Sequence, residues 1–515
     1  MTYQLVANYN KTFAEKHNLA VLAGYESQHY IQRTSTLTRT GGGDNALTSV
    51  LGSLSQTGWT NGDSSVELNR RSWFGRVQYD YDNRYLFEAN LRADASSRFP
   101  KDNRWGYFPA FSAAWRLSQE SFMEGTRDWL NQLKIRLGWG RTGNEELGED
   151  YYPSVATYAY SNLMIGNALY NALYEARYVN PNLKWASVTN WEIGLETSMF
   201  NNRLTFEGSF YKRKTNDMLL NLPIQTVLGV SAPAQNAGSV ENTGVDITIG
   251  HNNRINKDWS YNVTLNVGYN HNEITNLAGT EGQDPNNSLM WFMEGEAIGS
   301  YYGYICDGIF KDEAEVKAGP LRTGDEKPGN LRFKDLNGDG KITASDDRAV
   351  MGKINPSWMG GINVGVNFRA FDFSMLWQGA FDYDRYMTGE ASQAFYNNGS
   401  MTKWQMRERW TPENPNGTYP RLYDNSASSP DVVTNSFWCE DASYVRLKNL
   451  TLGYTLPSAI TGKIGINKVR VYFNGENLLT FSSIYKKGID PEAPAGRGAY
   501  YANVKKFSLG LKVTF

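Results

Sequence analysis

The sequence predicts an all-β fold, a transmembrane antiparallel β-barrel, on three observations. The closing residues Phe507-Ser508-Leu509-Gly510-Leu511-Lys512-Val513-Thr514-Phe515 alternate apolar with small or polar side chains and end on phenylalanine. The segment Trp259 to Tyr269 alternates without a break, setting Trp259, Tyr261, Val263, Leu265, Val267 and Tyr269 against Ser260, Asn262, Thr264, Asn266 and Gly268. At about 3.3 Å per residue and a tilt of about 45°, such a strand rises roughly 24 Å, close to the apolar band of an outer-membrane barrel. Third, short and long connections alternate along the chain, as periplasmic turns and external loops do. The edge strand of a soluble sandwich alternates as well as Phe507–Phe515 does, so the length of Trp259–Tyr269 and the connections carry the distinction.

In chain order, short links fall near Ala14, Asp82, Asn201, Asn252, Phe371 and Asn467, with a longer, helical turn at Ser121 to Asn131. Long segments run from Gln28 to Arg70, Thr142 to Ser187, Thr215 to Ala237, Glu273 to Ser357, Tyr383 to Asp441 and Thr480 to Ala502, with a shorter one at Ser96 to Trp105. Among the strands between them, Trp191, Ile193 and Leu195 face away from Glu192 and Glu196. Leu204, Phe206 and Phe210 likewise oppose Thr205, Glu207 and Ser209, and Val469, Val471 and Phe473 oppose Arg470, Tyr472 and Asn474. A charged face behind an apolar one fits a water-filled lumen, and equally a solvated sheet face. This accounting gives about fifteen strands, whereas single-chain bacterial barrels have even counts. The expectation is therefore that residues 1–515 are the C-terminal portion of a larger barrel protein.

Composition narrows the class. No run approaches the roughly 18 apolar residues of a transmembrane helix, so any spanning falls to strands. A formal charge of −2 gives no support for nucleic-acid binding. Mean hydropathy is −0.53, yet 15 tryptophans and 32 tyrosines are present, as aromatic girdles or sugar-stacking loops require. Cys306 and Cys439 show no metal spacing, and a disulfide or two free thiols both remain open. The opening Met1-Thr2-Tyr3-Gln4-Leu5-Val6 has neither a basic nor an apolar leader region.

Several segments, taken in order, resemble the SusC/RagA family of TonB-dependent outer-membrane transporters of Bacteroidetes. They are Asn90-Leu91-Arg92-Ala93-Asp94-Ala95-Ser96-Ser97-Arg98-Phe99 with Gly106-Tyr107-Phe108-Pro109-Ala110, and Asn190-Trp191-Glu192-Ile193-Gly194. Further on come Ala442-Ser443-Tyr444-Val445-Arg446-Leu447-Lys448-Asn449-Leu450, Phe473-Asn474-Gly475-Glu476-Asn477-Leu478-Leu479-Thr480 and Gly488-Ile489-Asp490-Pro491-Glu492. The resemblance implies a barrel of about 22 strands, of which this chain supplies about fifteen C-terminal ones with the plug absent. It implies an outer-membrane protein that imports oligosaccharides, peptides or other large nutrients and has no enzyme activity. The implied partners are a SusD-like surface lipoprotein, outer-membrane lipid, and the TonB complex through an N-terminal part outside this chain.

The sharpest local motif is Asp335-Leu336-Asn337-Gly338-Asp339-Gly340-Lys341-Ile342-Thr343-Ala344-Ser345-Asp346, in the long external insertion 273–357. Oxygen donors at loop positions 1, 3, 5, 7 and 12, with glycine at 6, are what Ca²⁺ requires. The expected ligands are the side chains of Asp335, Asn337, Asp339 and Asp346 and the Lys341 carbonyl. Aspartate at position 12 resembles dockerin-type loops, and the alternative is an Asx-rich turn without metal. The expected role of the ion is to stiffen the insertion.

Gly138-Trp139-Gly140-Arg141-Thr142-Gly143 has nucleotide-loop spacing but opens no helix, so its glycines are expected to serve a strand end. His17, His29, His251 and His271 are scattered, no serine occupies a nucleophile elbow, and acidic pairs such as Glu145 and Glu146, or Asp346 and Asp347, read as solvated loop residues. Aromatic-rich external segments are the expected ligand contacts: Tyr301, Tyr302, Tyr304, Trp404, Trp410, Tyr419, Tyr423 and Trp438. The leading expectation is the barrel of a TonB-dependent nutrient importer. Its rivals are a passive porin and a soluble, calcium-stabilised, carbohydrate-binding β protein.

Overall fold

The computed structural model describes residues 1–38, 60–146, 151–175, 179–221, 234–284, 287–423, 429–497, 500–501 and 503–515. Its main element is a sheet of 15 strands. They are β1 Thr2–Phe13, β2 His17–Thr38, β3 Thr60–Tyr81, β4 Tyr85–Ser96, β5 Trp105–Arg116, β6 Leu130–Asn144, β7 Ala186–Met199, β8 Leu204–Asn221, β9 Ala234–Arg254, β10 Trp259–Asn276, β11 Trp358–Phe368, β12 Phe371–Phe381, β13 Tyr444–Thr455, β14 Lys468–Ser482 and β15 Lys506–Thr514. Each is hydrogen-bonded to the next in that order, with β1 and β15 at its two ends. No described helix is long and apolar enough to cross a membrane. Two compact units divide the chain: Met1–Arg116 with Arg136–Trp191 and Arg213–Ser239, and Leu117–Ile135 with Glu192–Lys212 and Val240–Phe515.

In the first unit, tight turns at Ala14–Glu15 and Asp82–Asn83 place consecutive residues at positive φ, the backbone twist that a two-residue hairpin loop requires. β2 and β3 pair from His17↔Tyr81 to Thr38↔Thr60 without a shift. The loop expected from Gln28 to Arg70 therefore begins later, because both strands run on well past those residues. Their outer halves, rich in threonine, serine and charged residues, lack the apolar alternation by which the membrane-level halves are read. Near the short-turn end, Tyr81 stacks on Tyr85 at 6.3 Å and Tyr85 on Trp115 at 6.2 Å, an aromatic girdle segment. The glycines of the Gly138–Gly143 motif lie in β6. A Cβ at Gly143 or at Gly106 would overlap the Phe108 ring, so both residues are glycine to admit that side chain. Gly143 stands at the strand end as expected, whereas Gly138 and Gly140 lie in the strand interior.

In the second unit, β10 and β11 pair from Trp259↔Phe368 to Tyr269↔Trp358, the same span that alternates in the sequence. Rings pair at both ends of this ladder, Trp259 with Phe368 at 4.2 Å and Tyr269 with Trp358 at 4.6 Å. The turn expected near Asn252 lies at 255–258, where Asn256 Oδ1 accepts the Asp258 and Trp259 N–H groups at 2.8 and 3.0 Å. The turn expected near Phe371 is Arg369–Ala370, with Arg369 at φ +51.

The two faces of the sheet differ in kind. On β15, Phe507, Leu509 and Leu511 are 64, 83 and 65% exposed, and the terminal Phe515 just beyond it is 84% exposed. Trp191, Ile193, Ile362, Leu452 and Val471 are also exposed on other strands. The opposite face carries side-chain hydrogen bonds across strands: Asn449 to Asn474 at 2.9 Å, Thr248 to Asn266 at 3.1 Å and Lys134 to Glu196 at 3.2 Å. Apolar side chains facing out and polar ones bonded to one another is the inverse of a water-soluble sheet and suits a surrounding hydrocarbon.

Leu509→Arg is expected to destabilise insertion by up to about 2–4 kcal/mol, and Ser508→Arg on the opposite face by less than about 1 kcal/mol. Denaturant-titrated refolding into lipid vesicles compares the two.

Candidate functional site

The long connections of the second unit fold into a packed assembly. A four-stranded sheet joins Gly282–Asp284, Asn287–Phe292, Ser300–Tyr304 and Arg348–Lys353. Cys306–Ile309 with Leu331–Phe333 and Asp384–Tyr386 with Cys439–Asp441 form two separate two-stranded pairs. Two short helices are fixed at their starts. Asp312 accepts the Glu315 N–H at 2.9 Å ahead of Glu313–Ala318, and Thr402 and Gln405 form a reciprocal capping box ahead of Lys403–Glu408.

The core of this assembly is aromatic. Tyr301, Tyr386, Tyr419 and Trp438 pack with Met290 and Met387, and Tyr304 packs separately with Leu331, Phe333 and Ile342. The expected ligand residues thus divide into two groups. Tyr301, Tyr304, Tyr419 and Trp438 are buried and support the loops. Tyr302, Trp404, Trp410 and Tyr423 are half-buried, each with a cation over its ring. Arg348 lies 5.2 Å from the Tyr302 centroid, Lys487 5.0 Å from Trp404, and Arg421 5.8 Å from Trp410 and 5.5 Å from Tyr423. Tyr302 and Trp404 also pair with the rings of Trp291 and Tyr419, at 4.9 and 5.2 Å.

The strongest polar constellation was not singled out as a site from sequence. Arg446, 1% exposed, donates to Asp490 at 2.8 Å, to Thr480 Oγ1 at 3.0 Å and to Glu492. Lys448 Nζ reaches both Glu492 oxygens at 2.6 and 2.7 Å, and the Tyr444 hydroxyl donates to Glu492 at 2.9 Å. Two segments that carry the family resemblance, Tyr444–Lys448 and Gly488–Glu492, therefore meet as one ion-pair network. It fastens the loop after β14 to the start of β13. The signal in the sequence was the repeated charge in those two segments, but nothing in their spacing paired them.

Around the expected calcium loop, Asp335 accepts the Gly338 and Gly340 N–H groups at 2.7 and 2.8 Å, and Asn337 and Asp339 accept those of Asp339 and Lys341 at 3.0 and 2.8 Å. Gly338 and Gly340 take φ +79 and +84, as such a tight loop needs. Asp346 is turned to the Thr343 and Ser345 hydroxyls at 3.0 and 2.7 Å. Among the described residues no group of three His, Cys, Asp or Glu side chains is gathered closely enough to hold a metal. In this arrangement Asp335, Asp339 and Asp346 do not form a shared chelate. Asp347, expected to be a solvated loop acid, is instead buried and closes the loop by accepting the Leu336 and Thr343 N–H groups at 2.8 and 2.7 Å, and Glu145, expected likewise, is only 12% exposed and pairs with Arg70.

A second buried acid, Asp431, accepts the Leu331 N–H at 2.9 Å and Asn330 Nδ2 at 3.0 Å, and burial pushes its carboxyl up to about 6. Cys306 and Cys439 are free thiols, with burial raising both above the ordinary range.

In the first unit, the Ser96-Ser97-Arg98-Phe99 end of the resemblance segment closes the loop after β4. Arg98 donates to the Glu145 and Tyr151 carbonyls at 3.0 and 3.4 Å, and Phe99 packs on Leu183. A two-stranded hairpin, Tyr158–Ile165 with Ala168–Glu175, exposes Tyr160, Met164 and Leu173.

Removing Arg446 strands Asp490 in a buried setting, so Arg446→Met is expected to destabilise the 483–505 loop by about 3 kcal/mol. Limited proteolysis of that loop measures it. For Asp431 the folded-state value lies above the unfolded one near 3.9, so the protonated form stabilises the fold. That contribution, about 3 kcal/mol, is full below about pH 4 and is lost as pH rises through about 6. Hydrogen exchange at Leu331 is expected to show this loss, and Asp431→Asn to abolish the pH dependence.

Comparison with known proteins places this geometry. The family model described as TonB dependent receptor-like, beta-barrel matches residues 2–478. The chain is 31% identical over 539 residues to TonB-dependent receptor P3 of Formosa agariphila, an alignment covering 98% of this chain and 51% of that relative. It is 30% identical over 470 residues to TonB-dependent receptor SusC of Bacteroides thetaiotaomicron, covering 86% of this chain and 43% of that one. The structure of the RagAB peptide transporter superposes with a TM-score of 0.81 at 27% identity, covering 100% of this chain and 55% of that chain. The chain spans about half the length of the curated relatives it matches.

Proposed function

Because the chain belongs to the TonB-dependent receptor β-barrel family of the outer membrane, we propose that it forms the barrel portion of a nutrient importer of the SusC/RagA type. The observation that supports this most is the likeness to the RagAB transporter over the whole chain, external assembly included. The cargo class in this reading is an oligosaccharide, a peptide or another large nutrient. A SusD-like lipoprotein meets the external loops, and the TonB complex drives uptake through residues of the intact protein beyond this chain. The reading is transport: the buried acids Asp431 and Asp347 hold loops through backbone N–H groups, and Asp490 through its ion pair with Arg446.

Energised import separates this reading from a passive porin. Uptake by cells carrying the gene is expected to stop when the proton gradient is collapsed by an uncoupler. Continued uptake at the same rate would make the protein a diffusion pore.

Calcium at Asp335, Asn337, Asp339, Lys341 and Asp346 is a separate proposal, resting on the order of oxygen donors and on the tight loop that already presents Asp335 through Asp339 together. Binding requires Asp346 to leave the Thr343 and Ser345 hydroxyls. Calorimetric titration with Ca²⁺ is expected to give saturable heat that Asp335→Ala removes; no heat at millimolar calcium would leave the loop an Asx-turn structure alone.

A further inference from the structure

We infer that a polar cleft of about 230 Å³ in the second unit binds a small primary ammonium group. The cleft lies where the outer end of β10 meets the Gly295–Ala297 turn, the Lys353–Ser357 segment and the residues just after β12. The import reading does not enter this assignment, and binding can be measured where transport fails.

Charge gives the sign of the ligand. The carboxylates of Glu296, Asp382 and Asp384 line the cleft, and Lys353 is the one lysine or arginine among its lining residues. That lysine is already committed, 2.8 Å from Asp382 and 2.6 Å from Ser357 Oγ. Three acidic residues against one lysine leave the lining net negative, and a cleft wall concentrates such a field on a small cation. Burial, with Asp441 and Asp382 nearby, raises the Asp384 carboxyl above the usual range, a cost that a neighbouring cation offsets.

Geometry gives the class. No three acidic, histidine or cysteine side chains among the described residues gather on a metal-sized point. Three acidic residues among the lining of a space this size suit an organic cation. No Phe, Tyr or Trp is among those lining residues, and an ammonium has the amide oxygens of Asn270, Asn272 and Asn355 as further acceptors, the first two of which already take the Tyr211 hydroxyl and the Ile298 N–H. The volume lies below the roughly 300 Å³ of a complete small-molecule site, which fits one residue or one ring of a longer molecule. A lysine side chain and an amino sugar share the required chemistry.

The test is calorimetric titration of the full chain in detergent with Nα-acetyl-lysine amide, its Nε-acetylated form, glucosamine and N-acetylglucosamine. Saturable binding of an amine, weakened about tenfold or more by acetylation, is expected. The tighter of the two amines identifies peptide or amino sugar as the source. Glu296→Gln is expected to weaken binding at least about threefold, whereas Lys353→Met, by freeing Asp382, is expected to tighten it. The opposite sign of the second variant separates a binding role from simple loss of fold. Equal binding of amine and acetylated forms, absence of saturation by either amine, or a Lys353→Met variant that binds no more tightly would overturn the inference.

Discussion

A strand in hydrocarbon has no water to accept its backbone hydrogen bonds, so every N–H and C=O at membrane depth must be met by a neighbouring strand. The rest of the molecule follows from that constraint. The ladders of β2 with β3 and of β10 with β11 run for their full lengths without a bulge. Side chains are then sorted by the pleat: Leu509 and Leu511 to the exposed apolar face, Asn474 and Asn449 to a face where they bond each other. Turns such as Asp82–Asn83 stay tight. The sheet tolerates single register shifts, at Leu376/Trp377 of β12 and Leu447/Asn449 of β13, and longer irregular backbone appears in the external segments.

Those segments solve a different problem. Free of lipid, they must hold themselves together by burying their own apolar groups, and they do so around Tyr301, Tyr419 and Trp438. Buried charges then fix which loop meets which strand. Arg446 on β13 takes Asp490 and Glu492 from the following loop, and Asp431 takes Asn330 and Leu331. Such pairs contribute more to registry than to stability, since isolated buried ions are costly while a wrongly seated loop leaves one unpaired.

The membrane-level strands were legible because period-two alternation, aromatic ends and tight turns are local signals. Trp259–Tyr269 pairs over the very span that alternates, and the strand count agrees with about fifteen. The strand extensions beyond Gln28 and Arg70 were not, since above the membrane both faces meet water and alternation is no longer imposed. The external site was legible only in part. Aromatic content pointed to Tyr301 and Trp438 without showing that they fill a core, and the calcium motif drew attention to Asp346 while Asp347, which reads in sequence as one more solvated loop acid, is the buried residue that closes the loop. Pairings such as Arg446 with Asp490 join distant segments and depend on the fold, which a linear pattern does not carry.

The central claim is that the exposed apolar face of the sheet is covered by lipid. Single cysteines at each position from Phe507 to Thr514, in a Cys306→Ser, Cys439→Ser background and reconstituted in vesicles, test it with a membrane-impermeant thiol reagent. Protection at 507, 509, 511 and 513 with labelling at the even positions between them is the predicted result. Uniform labelling, or protection of the even positions, would contradict it.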